Sequence, residues 1–225
     1  MTMHYMKAII LALLLISPAS YATEPPAPDP DIPLLILFDR SASMQELLNG
    51  EPRIEVATRF FKSWSQSIAG RENVTFRFFA GGINKDDDTE NCLATQSVIP
   101  LGNKATAREL DALLDGLKPL GRKTNLAYAL LKAKDDLSGT SKGRIVLISD
   151  GLENCDTDPT PIAKKLGELG FNVDVIGIGK AEDIAGLGKI ALVSGGQFSI
   201  AESASQLSNQ LSQHIPDFKL SDFPN

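Results

Sequence analysis

Histidine is almost missing from this chain of 225 residues, which has only His4 and His214. Cysteine is confined to Cys92 and Cys155, and tryptophan to Trp64. His4 lies in an N-terminal segment with the pattern of a removable leader, so one imidazole remains in the mature protein. That is too few for the zinc sites that draw on several histidines, and it makes a Ser-His-Asp triad hard to assemble. Basic clusters are lacking as well, and the formal net charge is −6. An acidic chain of this kind is a poor match for nucleic acid or for an anionic membrane surface. No apolar stretch is long: the N-terminal run from Ala8 to Ile16 falls well short of the ~20 residues that a membrane-spanning helix requires.

That short run follows Lys7 and leads into Ser17-Pro-Ala-Ser-Tyr-Ala22. A basic flank, an apolar stretch and small residues at Ser20-x-Ala22 have the pattern of a secretory signal peptide over 1–22. An uncleaved membrane anchor is the alternative. Cleavage after Ala22 leaves 225 − 22 = 203 residues with a formal charge of −7, because the leader holds Lys7 and no acid. The mature product is then expected in the periplasm or outside the cell, without stable insertion in a membrane. An oxidising compartment and an even cysteine count favour a Cys92–Cys155 disulfide over two free buried thiols. It would close a loop of roughly 60 residues and contribute about 4 kcal/mol in the chain-entropy model.

Residues 23–31 (TEPPAPDPD) form a proline-rich linker. A single folded domain is expected over 32–215 and a tail over 216–225. Within the domain, Pro33–Phe38 and Arg144–Ser149 are unbroken apolar runs, the pattern of strands buried on both faces. Asn172–Ile178 and Val74–Phe79 are further strands, with Thr95–Ile99 and Gly196–Ile200 as shorter candidates. Helical spacing recurs at Ala57, Phe60, Phe61, Trp64 and Ile68, and again at Leu126, Leu130, Ala133 and Leu137. Thr106-Ala-Arg-Glu109 is a capping box before Leu110 and Leu114. Thr160-Pro161 opens another helix, and Leu207, Leu211 and Ile215 mark the last. Strands alternating with helices predict an α/β fold, a mostly parallel sheet with helices on both faces.

Both long apolar runs end in aspartate, Asp39 and Asp150. Open parallel sheets bind ligands beyond the carboxyl ends of their strands, where the strand order reverses. If these two strands are neighbours at that reversal, the two carboxylates face each other across the crevice. The turn Asp39-Arg-Ser41-Ala-Ser43 carries oxygen side chains at every second position. Such donors are hard ligands suited to Mg²⁺, Mn²⁺ or Ca²⁺. Hydroxyls that merely cap the next helix are the alternative for Ser41 and Ser43.

Asp39-Arg-Ser-Ala-Ser43, then Gly121-Arg-Lys-Thr-Asn125 with Ala129-Leu130 behind it, then Ile148-Ser-Asp-Gly151 together resemble the von Willebrand factor type A domain. The resemblance covers about residues 32–215. It implies a Rossmann-like, doubly wound sheet of six strands with one antiparallel edge strand. It also implies a metal-ion-dependent adhesion site in which Ser41, Ser43 and Thr124 bind the ion directly. Asp39 and Asp150 would act directly or through waters. Gly151-Leu-Glu-Asn-Cys155, with Asn91-Cys92 upstream, is similar to a bacterial exported branch, in which a Cys92–Cys155 bridge would steady the loop behind Asp150.

The function expected is an exported, metal-dependent adhesion or assembly module, with Mg²⁺ foremost as the cation. Its protein partner would present Asp or Glu. No catalytic base can be placed, so no enzyme activity is expected; a metal-assisted hydrolase of the cell envelope is the alternative. The acidic segment Lys85–Asp88 with Glu90 lacks EF-hand spacing and is expected to be a solvated loop. Asp174, inside a strand, is expected to be paired or in polar surroundings. Trp64 and the phenylalanines are expected in the core. Gly177, Gly179 and Gly186 do not follow the spacing of a dinucleotide loop and are expected to form a strand-end turn.

Overall fold

The structure is a computed structural model that describes residue 29, residues 31–84 and residues 86–214. The expected leader (1–22), nearly all of the linker (23–31), Lys85, Ile215 and the tail (216–225) lie outside the described residues. In chain order the elements are β1 (Leu34–Asp39), β2 (Leu47–Leu48), β3 (Glu51–Pro52), α1 (Arg53–Ile68), β4 (Val74–Phe79) and α2 (Asp88–Cys92). There follow β5 (Thr95–Ile99), α3 (Ala107–Asp115), α4 (Leu126–Asp136), β6 (Gly143–Ser149), α5 (Thr160–Glu168) and β7 (Phe171–Ile178). The last are α6 (Ala181–Ile184), α7 (Gly188–Ser194), β8 (Phe198–Ala201) and α8 (Ala204–His214).

Six strands form one sheet in the order β5-β4-β1-β6-β7-β8, with β2 and β3 as a separate small hairpin. Only β5 runs antiparallel in the main sheet, against β4. The expected doubly wound architecture is therefore present. The chain builds outward from β1 through β4 to β5, then crosses back to β6 on the other side of β1. The reversal point lies between β1 and β6. Phe38 is level with Ile148, so Asp39 stands beside Ser149, and Asp150 is one residue beyond the strand.

Period-two alternation explains why β1 has no polar residue before Asp39. Leu34, Ile36 and Phe38 point to one face, where they pack with α1, α3 and α8. Leu35 and Leu37 point to the other, under α4, α5 and α7. Burying each such side chain stabilises the fold by about 1.5–3 kcal/mol. Trp64 and the phenylalanines are core, as expected: Phe61 meets Phe38 and Phe76 edge-on, each with ring centroids 5.6 Å apart. The second face also holds a buried ion pair, in which Arg77 of β4 donates from Nε and Nη2 to Asp136 of α4, at 2.5 and 2.7 Å.

Several elements depart from the sequence expectation. The acidic segment contains the short helix α2, because the Asp87 side chain accepts hydrogen bonds from the Thr89 and Glu90 amides and caps it. Helix α1 begins at Arg53, ahead of the apolar pattern from Ala57, and Ile54 and Val56 extend its buried face. Helix α7 is an addition: Gly188 and Gly195 bracket it, and its core-facing residues Ile190 and Ala191 are too few to reveal a period. The expected capping box at Thr106 and Glu109 is present.

Candidate metal centre

The carboxyl end of β1 delivers Asp39 into the crevice, fully buried. Its Oδ1 accepts the Ser41 amide at 2.7 Å, which turns the chain sharply. Ser41 and Ser43 then face the same point, with their Oγ atoms 2.8 Å apart. Ser43 Oγ donates to Asp150 Oδ1 at 2.7 Å. Two stretches of chain more than a hundred residues apart thus meet through side-chain oxygens. The alternative of helix capping is not seen: Ser41 precedes the 3₁₀ turn Ala42–Gln45 but makes no side-chain cap bond.

The Gly121–Asn125 segment lies against this turn. Ser41 and Gly121 form a parallel bridge, and the Ala42 amide donates to the Gly121 carbonyl at 2.7 Å. A Cβ on Gly121 would stand 1.4 Å from the Ala80 carbonyl oxygen, so only glycine permits the approach. Thr124 is thereby brought to the rim, 4% exposed. Gly151 lies beside both hydroxyls: a Cβ there would sit 3.9 Å from Thr124 Oγ1 and 4.0 Å from Ser43 Oγ. All five expected residues line one small region, and two carboxylates with three hydroxyls make a hard-oxygen donor set.

The electrostatics favour a cation. Burial pushes Asp39 up to about 7, and the nearby Asp150 carboxylate adds to the rise, against hydrogen bonds from Ser149 and Ser41. Burial also raises Asp150 above the usual carboxylate range, opposed by Arg53 and Ser43. Two neighbouring buried acids are costly to ionise without positive charge nearby. Among the described residues no group of three or more His, Cys, Asp or Glu could hold a metal ion. Any cation at this rim would therefore depend on hydroxyls as well as acids.

Supporting residues went unread in the sequence. Ser149 donates to Asp39 Oδ2 at 2.5 Å. Arg53 Nη1 donates to Asp150 Oδ2 at 2.7 Å. Asn154 Oδ1 accepts the Thr124 amide at 2.6 Å, and the Asn154 amide returns a bond to the Thr124 carbonyl. Glu153 accepts the Ala127 amide and so caps α4 from outside the helix. The Asn125 amide group donates to the Cys92 and Ala94 carbonyls, while its oxygen accepts from the Ala80 amide. The disulfide Cys92–Cys155 is present, with Cα atoms 5.7 Å apart. It ties α2 to the loop that carries Glu153 and Asn154. Adjacency to Asp150 or Cys155 was the only signal for Ser149, Glu153 and Asn154.

His214 is buried, with Nε2 3.1 Å from Ser199 Oγ and Nδ1 3.5 Å from Asp174 Oδ2. A single mature imidazole makes a Ser-His-Asp trio hard to assemble, yet three residues of those types do meet here. Asp174 is committed elsewhere, to the Arg144 guanidinium and the Gln197 amide. Its expected pairing is thereby explained. The trio fastens α8 to β7 and β8.

A doubly wound sheet with paired acids and hydroxyls at its switch point defines a class of α/β domains. Residues 34–214 match the family model of the von Willebrand factor type A domain, and the chain belongs to that family. It is 30% identical to the uncharacterized protein YwmD of Bacillus subtilis (strain 168), over 89% of this chain and 92% of that protein. It is similar to proximal thread matrix protein 1 from the mussel byssus with a zinc-occupied MIDAS motif, at TM-score 0.60 and 22% identity, covering 82% of this chain and 47% of that one. Manganese-loaded TRAP protein of Plasmodium vivax matches at TM-score 0.55 and 20% identity, over 79% of this chain and 70% of that one. Among the described residues no helix is long and apolar enough to cross a membrane.

Proposed function

We propose that this chain is an exported protein-binding module in which Asp39, Ser41, Ser43, Thr124 and Asp150 hold a divalent cation that engages an acidic side chain of a partner protein. One observation carries the reading: two buried carboxylates and three hydroxyls from three separate loops converge at the switch point of the sheet. The donor set suits Mg²⁺ best, because hard oxygens with room for water match its preferences. Zinc in the mussel protein and manganese in TRAP support a divalent ion more broadly. Bound there, the ion supplies a Lewis-acidic position that a partner's carboxylate can occupy.

The protein's own groups do the positioning. Ser149 and the Ser41 amide fix both oxygens of Asp39, while Ser43 and Arg53 fix those of Asp150. The Cys92–Cys155 bridge supports an oxidising compartment, in keeping with the leader expected over 1–22. Affinity capture from the cell envelope, with and without EDTA, tests the proposal. Partner recovery should fall with chelator and with Asp39→Ala. Recovery unchanged by both would remove the metal from the account.

A further inference from the structure

Asp150 shares its carboxylate with a guanidinium. Arg53 opens α1, and its Nη1 donates to Asp150 Oδ2 at 2.7 Å while Nη2 reaches Glu46 Oε2 at 3.1 Å. The Arg53 side chain is 13% exposed and that of Asp150 is fully buried, whereas Glu46 is 64% exposed. The Arg53 amide donates to the Glu46 carbonyl at 3.0 Å, which fixes the backbone at the start of α1. Gly179, at φ +139°, flanks the guanidinium: a Cβ there would lie 3.5 Å from Nη2. The charge is therefore built into the rim by three elements and is little screened by water.

We infer that Arg53 is a positioning residue acting as an internal counter-cation: it holds Asp150 in place, weakens the hold of the site on a divalent ion, and leaves the loaded site with a net positive charge. The inference rests on the reading of this rim as a metal site. Asp39 and Asp150 contribute −2 and Arg53 +1, so a divalent ion brings the buried group to +1. Without Arg53 the same sum is zero. A neutral cluster would retain its ion more tightly and attract an incoming carboxylate less. Glu46 offsets little of this, because its charge faces water, where interactions are screened.

The test is calorimetric titration of Mg²⁺ into the full mature chain and its variants. Arg53→Met, which keeps the apolar stem, should tighten Mg²⁺ binding at least tenfold, since one unit charge about 4 Å away is worth roughly fivefold in bulk water and roughly a thousandfold at an effective dielectric of about 20. Arg53→Lys should stay within about threefold of wild type, since the charge remains. Lys134→Met, at the far end of α4, changes net charge equally and should leave affinity unaltered. The metal-free Arg53→Met protein should unfold at a lower temperature than wild type, a readout independent of metal. If it does not fold, Arg53→Gln carries the same comparison, because it can still donate to Asp150 without charge. Wild-type binding with no tightening in the folded neutral variant would overturn the inference alone, as would equal tightening in Lys134→Met. Failure of the wild type to bind Mg²⁺ would overturn the metal reading together with it.

Discussion

Ser149 Oγ donates to Asp39 Oδ2 at 2.5 Å across 110 residues of sequence. The two belong to neighbouring strands, and the bond closes the crevice from below while Asp39 Oδ1 holds the Ser41 turn. Ser149 therefore sets the direction of Asp39 without facing the centre itself. Ser149→Ala should destabilise the metal-free protein by about 1–2 kcal/mol, the usual cost of a lost donor to a buried acceptor. Urea denaturation in EDTA measures this. A variant as stable as wild type would show that Asp39 does not depend on the bond.

The disulfide links α2 to the loop that fixes Thr124. With Cys92 and Cys155 separated by 63 positions in the sequence, its loss should cost about 4 kcal/mol by loop entropy. Cys92→Ser with Cys155→Ser should lower the denaturation midpoint accordingly. It should also weaken Mg²⁺ binding, because Asn154 would no longer be held against the Thr124 amide. Stability lost without any change in affinity would separate the bridge from the site.

Gly121 tolerates no side chain. Gly121→Ala would drive a Cβ to 1.4 Å from the Ala80 carbonyl oxygen. A backbone shift is unavoidable, with a cost of about 4 kcal/mol, in the upper tail for single substitutions. Gly116→Ala is the control, since nothing stands within 4 Å of its Cβ position. Thermal unfolding should separate the two variants clearly.

Asp174 predicts an acid dependence. Burial would raise its pKa, but the His214 ring and Arg144 more than offset this, and the net shift is downward from the ordinary value of 3.8. An acid whose folded pKa is depressed stabilises the fold above its unfolded pKa, and that contribution disappears as pH falls through the folded value. Asp174→Asn should therefore cost about 2 kcal/mol near neutrality, less than for a wholly buried pair, because Arg144 keeps 24% of its side chain exposed. The gap between wild type and variant should close below the ordinary carboxylate range. Urea midpoints measured from neutral to acid pH provide the check; a gap that persists in acid would point to packing instead.

Much of this architecture is legible in the sequence, for identifiable reasons. Apolar runs such as Leu34–Phe38 cannot be solvated on either face, so they specify central strands and place the aspartates that end them. The capping box at Thr106 and Glu109 is a local signal and is found as expected. Thr124 depends on family resemblance, because a threonine before a helix has many uses. Arg53, Ser149 and Asn154 were silent because their partners are Asp150, Asp39 and Thr124, all distant in sequence apart from local clues. Helix α7 was silent because glycines bracket a buried face of few residues.

The central claim is that five oxygen-bearing side chains share one hard cation. Diffraction from crystals grown with Mn²⁺, recorded at the manganese absorption edge, tests it most directly. The account predicts one anomalous peak at the β1–β6 rim, within bonding distance of the Ser41 and Ser43 hydroxyls and of Thr124, and absent in Asp39→Ala crystals. A peak elsewhere, or none at saturating Mn²⁺, would contradict it.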